Sequence, residues 1–356
     1  RSMENKVSIK PWLVIRPALL PIAFRIDRRV PLVLIILSLL TLIFMISNIG
    51  YGEYPIPPVA VVKTILGLES GNPEYIFVVN TLRLPRVLVA LLVGIALAIS
   101  GAILQGLARN PLATPGVIGL NAGSALAAVM LITLFPNAPA GMVPIASFSG
   151  AITVTTVLYL IAWNNRRRSP LRLVLVGIGV SAMVGAFTTL IITFGDINTV
   201  SSALIWLVGS VYGRSWEQIW PLLPWLLLFV PLSFTLARDL NSLNLGDEIA
   251  ISVGNPVNAK RSLLLLTSVA LAAAAVATAG TIGFVGFIAP HLARQLVGPS
   301  HEGLLPTAAL SGGLLVVFAD FLGRIAFAPL EIPCGLITAI VGAPYFLYLL
   351  YQNRHR

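Results

Sequence analysis

The chain has 356 residues, of which 57% are hydrophobic and only 10% charged, with a mean hydropathy of +0.92. A soluble protein of that length could not hide so much apolar surface, so most of it must face lipid or other membrane helices. The formal net charge of +10 would suit a nucleic-acid binder, but the basic residues sit in the tails and in short loops between apolar runs, which is a membrane-topology pattern. The single cysteine, Cys334, excludes an internal disulfide and any CxxC metal or redox site.

Arg1 and Ser2 ahead of Met3 read as a cloning remnant and are set aside. The charged tail that follows precedes a full-length apolar run, which is not the layout of a cleaved signal. Charge-free runs of membrane-crossing length, roughly twenty residues each, fall at 31–49, 87–108, 116–134, 143–163, 173–195, 219–236 and 262–280. Further candidates lie at 282–297, 304–323 and 333–351. The sequence therefore predicts an all-α polytopic membrane protein with about ten transmembrane helices: residues 1–30 a tail, 31–356 one transmembrane domain. The stretch 199–213 is apolar but short, and Gly209 and Gly213 mark it as an outer loop or partial helix. Gly280, Gly283 and Gly286 predict a break that divides 262–297 in two.

Ten spans return both tails to one side. Placing them inside leaves only Lys63, Arg83, Arg86, Arg214 and Arg324 outside, and the positive-inside rule selects that orientation. Small residues recur at helix-packing spacing: Gly94, Ala98 and Ala102, then Gly119, Gly123 and Ala127, then the alanines 272–275. They predict close approach of helices in a packed bundle. No internal repeat is visible.

Arg83 and Arg86, in the run LRLPR, go against the charge trend. Pro85 is expected in the first turn of the second span, where its missing N–H costs nothing, which leaves Arg86 near a helix N-terminus that mildly disfavours a cation. Such a pair suits an acidic partner or an anionic ligand. Anchoring to lipid phosphate, or pairing with Glu74 or Glu53, would explain it equally well. Arg324 has Asp320 four residues earlier, a favourable order for an ion pair; an ionisable residue in a span raises a functional role, but an Asp with its own Arg partner reads first as structural. Glu331, beside Pro333, is similarly open.

The longest inner loop, 239–261, contains LGDEIAISVG. Leu245, Ile249 and Val253 recur every four residues between Gly246 and Gly254, which predicts a short amphipathic helix outside the membrane. Lying on the bilayer is one use for it. The absence of Lys and Arg favours docking to a cytoplasmic protein instead.

No GxxxxGK[ST] is present, so ATP cannot bind here through a P-loop. His291, His301 and His355 form no metal-spaced cluster, and the few acids are too scattered for a catalytic set. The chain thus reads as a non-catalytic membrane subunit with no metal or cofactor of its own. A stand-alone secondary transporter is the distant alternative, disfavoured because almost no charge lies mid-membrane.

Four blocks then carry a resemblance: LRLPRVLVALLVGIALAISGAILQGLARNPLATPGVIGLNAG, LGDEIAISVGNP, GTIGFVGFIAPHLAR and LEIPCGLITAIVGAPYF. In this order they resemble the FecCD family of ABC-importer permeases, which serve ferric siderophores, haem and cobalamin. The resemblance implies a type II importer: two permease subunits, identical or sister chains, two cytoplasmic ATPases carrying ATP and magnesium, and an external substrate-binding protein. It implies a multi-pass protein of the bacterial inner membrane with both termini cytoplasmic, moving a ferric siderophore, with haem or cobalamin as alternatives. By the same resemblance Arg83, Arg86 and Arg324 receive acidic residues of the binding protein, and charge reversal at the first two should leave folding intact. Leu245, Gly246, Asp247, Ala250, Val253 and Gly254 would couple to the ATPase, with Val253 standing where leucine is usual. Asn110, Pro111 and Leu112, with Ser169, Pro170 and Leu171, would form the cytoplasmic gate, and Pro170 departs from the small hydroxyl residue of some relatives.

Overall fold

The computed structural model describes residues 12–15, 24–68, 72–163, 170–326, 328 and 330–353. Within the tail, strand β1 (Trp12–Ile15) pairs antiparallel with β2 (Phe24–Asp27). The rest is helical: α1 (Arg29–Gly50), α2 (Pro58–Ile65), α3 (Pro73–Ile76), a π-helical stretch (Phe77–Arg83) and α4 (Leu84–Ala108). There follow α5 (Leu120–Leu134), α6 (Met142–Trp163), α7 (Pro170–Phe194), α8 (Ile197–Val208), α9 (Trp216–Thr235), α10 (Ala237–Leu245) and α11 (Asp247–Ser252). The last four are α12 (Val257–Ala279), α13 (Val285–Val297), α14 (His301–Ile325) and α15 (Cys334–Asn353).

Three helices form the interior. The most apolar stretches of α4 and α12 are each 78% buried and that of α14 is 67% buried, against 17% for α1 and α7. The outer helices therefore turn their apolar faces outward, as lipid or another subunit requires. Backbones meet directly in the interior. A Cβ on Gly94 would stand 2.2 Å from the Gly312 carbonyl oxygen, and one on Gly101 would stand 1.8 Å from that of Gly286. The Gly123–Gly150 crossing of α5 and α6 is equally close, at 2.4 Å. The small-residue seams are thus contact surfaces: Ala98 abuts Gly312, Ala127 abuts Gly150, and the 272–275 alanines are all buried. Ser100 and Ser268 share a hydroxyl hydrogen bond of 2.8 Å across the α4–α12 contact, a polar link between apolar helices.

Among the described residues eight helices have membrane-crossing length; α5, α8 and α13 are shorter, at 15, 12 and 13 residues. The 116–134 span loses its first turn to a 3-10 segment, Pro115–Ile118, and to Gly119 at φ 72°. The glycine break falls where the sequence puts it: α12 stops at Ala279, Gly280 has φ 77°, and α13 restarts at Val285. The 199–213 stretch contains the partial helix α8.

One boundary is corrected. The second long helix starts at Pro73, not near residue 85, and runs unbroken to Ala108 over 36 residues. Asn72 caps it, accepting a hydrogen bond of 2.9 Å from the Glu74 N–H. Pro85 lies inside this helix, directly after the π-wound turns. A proline there lacks the N–H for the carbonyl four residues back and crowds it, and widened winding relieves both. Arg86 is therefore more than three turns from the N-terminus, and the macrodipole does not act on it.

Candidate functional site: two charged ends of one buried helix

At one end of the buried stretch of the Pro73–Ala108 helix, about three turns in from Pro73, the structure gathers Arg83, Arg86 and Arg324. Arg86 grips Asp320, with Nη2 2.7 Å from Oδ1 and Nε 3.1 Å from Oδ2. Its Nη1 donates to Glu331 at 2.7 Å. Asn48 of α1 donates to the other side of the Asp320 carboxylate at 2.9 Å. Arg83 donates to the carbonyls of Ile49 (2.6 Å) and Tyr54 (2.8 Å), and Arg324 to those of Asn48 (2.9 Å) and Tyr51 (3.2 Å). Both cations thereby satisfy backbone carbonyls that the end of α1 leaves open, where positive charge is favoured.

These are not free surface cations. Arg83, Arg86 and Arg324 are only 8%, 6% and 9% exposed. The expected Asp320–Arg324 pair is replaced by Asp320–Arg86, bridging α14 to α4, while Arg324 approaches Glu331 at 3.6 Å. Glu74 and Glu53 do not pair with the arginines; Glu74 accepts instead from the Tyr54 hydroxyl at 2.9 Å. The expectation that charge reversal leaves folding intact is overturned for Arg86, because a carboxylate there would face two others inside the protein. Glu331, at 29% side-chain exposure, is the member of the cluster most open to solvent.

At the other end, Arg109 closes the helix with a left-handed backbone, φ 48°. Its Nε donates to the Leu243 carbonyl at 3.0 Å, and its Nη2 pairs with Asp247. Arg261 holds the same carboxylate at 2.8 Å. Partial burial pushes the Asp247 carboxyl up, but Arg261 first and then Arg109 outweigh it and hold it below the usual aspartate range. The turn between the long helix and α5 is thus tied to α11. In the sequence Arg109 shows only as the first residue of the polar turn Arg109-Asn110-Pro111 that ends the span, with no sign of its partner Asp247.

The predicted loop helix is present as α11, flanked by Gly246 (φ 129°) and Gly254 (φ 81°). Ala250 is buried, while Leu245, Ile249, Ile251 and Val253 are exposed. Four neighbouring large apolar side chains left outside a packed fold are the usual mark of an interaction surface.

Of the expected gate residues, Asn110 accepts the Leu112 N–H at 2.9 Å and shapes the turn around Pro111. Ser169 and the side chains of Pro170 and Leu171 lie outside the described residues, as does the arginine cluster 166–168. Leu112 instead meets an aromatic group that the sequence reading missed. A cleft of about 350 Å3 is lined by Leu112, Phe284, Phe287 and Phe346 together with the Gly283 and Gly286 backbone. Phe284 sits at φ 64°, rare for a bulky residue, and its ring lies where a Cβ on Gly342 would be, 2.3 Å from Cγ. A glycine in α15 thus makes room for it. Among the described residues no three His, Cys, Asp or Glu side chains are grouped to hold a metal.

Residues 39–352 match the model of the FecCD transport family. The chain is 43% identical over 328 residues to the Fe(3+)-citrate import system permease protein YfmE of Bacillus subtilis, covering 92% of this chain and 96% of that one. The cobalamin import system permease protein BtuC of Halobacterium salinarum is 40% identical, covering 81% and 78%. A metal-chelate type ABC transporter solved in an inward-facing conformation superposes with a TM-score of 0.80 at 32% identity, covering 90% and 99%. The relatives are transport components rather than enzymes, and the fold is that of a type II ABC-importer permease. With its apolar helices, its buried helical interior and this extent of likeness, the chain is a multi-pass membrane protein that belongs to the FecCD transport family.

Proposed function

We propose that the chain is the membrane-spanning subunit of an ATP-driven importer that carries a ferric chelate, a siderophore or citrate complex, across the bacterial inner membrane. Both termini are cytoplasmic in this reading, with the Arg86 end outside. Two permease subunits, identical or sister chains, enclose the pathway. Two cytoplasmic ATPases, holding ATP and magnesium, bind through the exposed apolar side chains of Leu245, Ile249 and Val253, with Gly246 and Gly254 setting the turns. The buried Ala250 and the paired Asp247 act by positioning that face. The permease itself holds no cofactor.

The observation that carries this reading is the single helix with a charged cluster at each end. One end carries three buried arginines, Arg83, Arg86 and Arg324, against two carboxylates, an excess of positive charge that would draw an acidic binding protein, and the other pins the α11 loop through Arg109. Motion of the loop then reaches the gate turn at Asn110–Leu112 directly. Docking through charges makes the binding-protein complex salt-sensitive.

Uptake of radiolabelled ferric citrate and of a ferric hydroxamate, in cells lacking the chromosomal copy, tests it. Uptake of at least one chelate should vanish with the gene and return with it. Iron uptake that persists, with labelled cobalamin uptake lost, would shift the substrate to cobalamin, the alternative raised by the similarity to a cobalamin permease.

A further inference from the structure

Beside the Arg86 cluster lies a cavity of about 660 Å3, whose lining includes Arg214, Tyr212, Ser210, Trp206, Glu53 and Glu331. Cavities of roughly 300–1,000 Å3 are the size that takes small organic ligands. Arg214 sits in the turn between α8 and α9. Among the described residues its side chain has no hydrogen bond and no ion pair, and its Nε is buried without a partner. The other arginines at this end are committed: Arg86 to two carboxylates, Arg83 and Arg324 to backbone carbonyls. Burial outweighs a smaller opposing contribution from Cys334 and pushes the Arg214 guanidinium below its ordinary range.

Arg214 is half-buried with its Nε sealed from water; a guanidinium partly withdrawn from water without a counter-charge is costly, and an anion in the cavity would relieve that cost. The nearby carboxylates do not supply it. Glu331 is taken by Arg86 and Arg324, and no ion pair joins the exposed Glu53 to Arg214. The α9 N-terminus, capped by Ser215 next door, adds partial positive charge. Trp206 and Tyr212 furnish aromatic walls, and Tyr212 also carries Arg86 over its ring at 5.3 Å, so the cavity adjoins the cluster assigned to docking.

We propose that the Arg214 cavity is a subsite for the anionic part of the transported chelate, a carboxylate or deprotonated catechol oxygen that the guanidinium binds through paired N–H donors. This rests on the ferric-chelate import reading. It places a charge-selective contact in the permease itself, immediately inside the docking end.

The permease–ATPase complex in lipid nanodiscs, without binding protein, is dialysed to equilibrium against radiolabelled ferric citrate, an anionic chelate, and against a charge-neutral ferric tris-hydroxamate. The unmodified complex should bind ferric citrate. Arg214→Gln should weaken that binding by about tenfold or more, with Arg214→Lys in between and the neutral chelate unaffected. Retention of the ATPase partner reports that the variants are folded, and Arg214→Lys keeps the test available if Arg214→Gln is not. Equal ferric citrate binding by Arg214→Gln, or none by the unmodified complex, overturns the subsite. So does a variant that loses capture of the binding protein while its chelate binding is unchanged, since Arg214 would then belong to the docking surface. Cellular uptake that depends on the chain stands apart from all three outcomes, so the subsite can fail while the import reading holds.

Discussion

The two ends of the buried stretch of the Pro73–Ala108 helix use the same chemistry, an arginine–carboxylate pair with a third charged partner, yet one is sealed and the other wet. Arg86 and Asp320 have side chains 7% and 2% exposed; those of Arg109 and Asp247 are 37% and 42% exposed. As water leaves, the attraction between the charges grows, and so does the cost of leaving either alone. The sealed end is therefore a fixed clamp that ties α1, α4, α14 and the segment before α15 together. The wet end is a contact that can break and re-form cheaply. One end serves as a fulcrum, the other as the movable joint.

The sharpest way to break this comparison is to empty the clamp. Asp320→Ala leaves Arg86 buried with only the half-open Glu331 as ionic partner and removes the nearer acceptor of the Asn48 amide, leaving it the Val317 carbonyl at 3.5 Å. Losing one partner of a buried pair costs about 3–5 kcal/mol. Purified Asp320→Ala should accordingly show a large drop in thermal midpoint or fail to yield a monodisperse complex. Melting like the wild type would mean that the clamp is not a clamp.

Second in size is the rod between the ends. Gly101→Ala sets a Cβ against the Gly286 backbone, and overpacking of this kind costs about 1–3 kcal/mol. Gly179→Ala in α7, where a Cβ meets nothing within 4 Å, should be neutral or gain up to about 1 kcal/mol from helix propensity. Thermal unfolding of the two side by side checks it, and equal shifts would show that the α4–α13 contact yields.

How much of this was legible in the sequence differs between the two ends for a physical reason. The break at Gly280 and the loop helix between Gly246 and Gly254 are local, written in glycines whose positive φ few other residues tolerate and in a short period of apolar residues. The seam at Gly94 and Ala98 was legible as a surface, although its partner Gly312 was not. The clamp was illegible because its partners, Arg86 and Asp320, stand 234 residues apart, while Arg324 offered a nearer and plausible mate. The true helix start at Pro73 was hidden by Asn80, Thr81 and Arg83, which look like loop residues; Arg83 is in fact buried against the Ile49 and Tyr54 carbonyls, while Thr81 stays exposed on the helix. Phe284 carried no signal, since its strained backbone depends on the space left by Gly342.

Glu331 is the intermediate case, with Oε2 on Arg86, Oε1 facing Arg324 at 3.6 Å, and the side chain 29% exposed. Glu331→Gln removes a carboxylate from over Arg86 and Arg324 but leaves Asp320 in place, so the stability cost should stay at or below about 1 kcal/mol. The freed positive potential should draw the binding protein more tightly, by about threefold at low salt, an advantage that disappears at high salt. Surface-captured permease complex titrated with binding protein at two ionic strengths measures this. Weaker docking at low salt would place Glu331 among the supports of the docking surface rather than over it.

The smallest change in stability is expected at the wet end. Asp247→Asn breaks two partly exposed ion pairs, and such pairs are worth about 0.5 kcal/mol each or less, so the thermal midpoint should barely move. ATP-driven uptake should nevertheless fall severalfold while the ATPase still co-purifies, because Arg109 and Arg261 no longer fix α11 against the gate turn. The pH dependence follows from the depressed Asp247 carboxyl. A group whose folded value lies below its unfolded one, about 3.9 for aspartate, contributes in full above the unfolded value and loses that contribution as pH falls through the folded one. Wild type and Asp247→Asn should therefore differ in stability by a constant small amount from pH 5 to 8 and converge only below about pH 4. Convergence already near pH 6 would mean that the arginines do not hold this carboxylate, and the joint would have to be sought elsewhere in the loop.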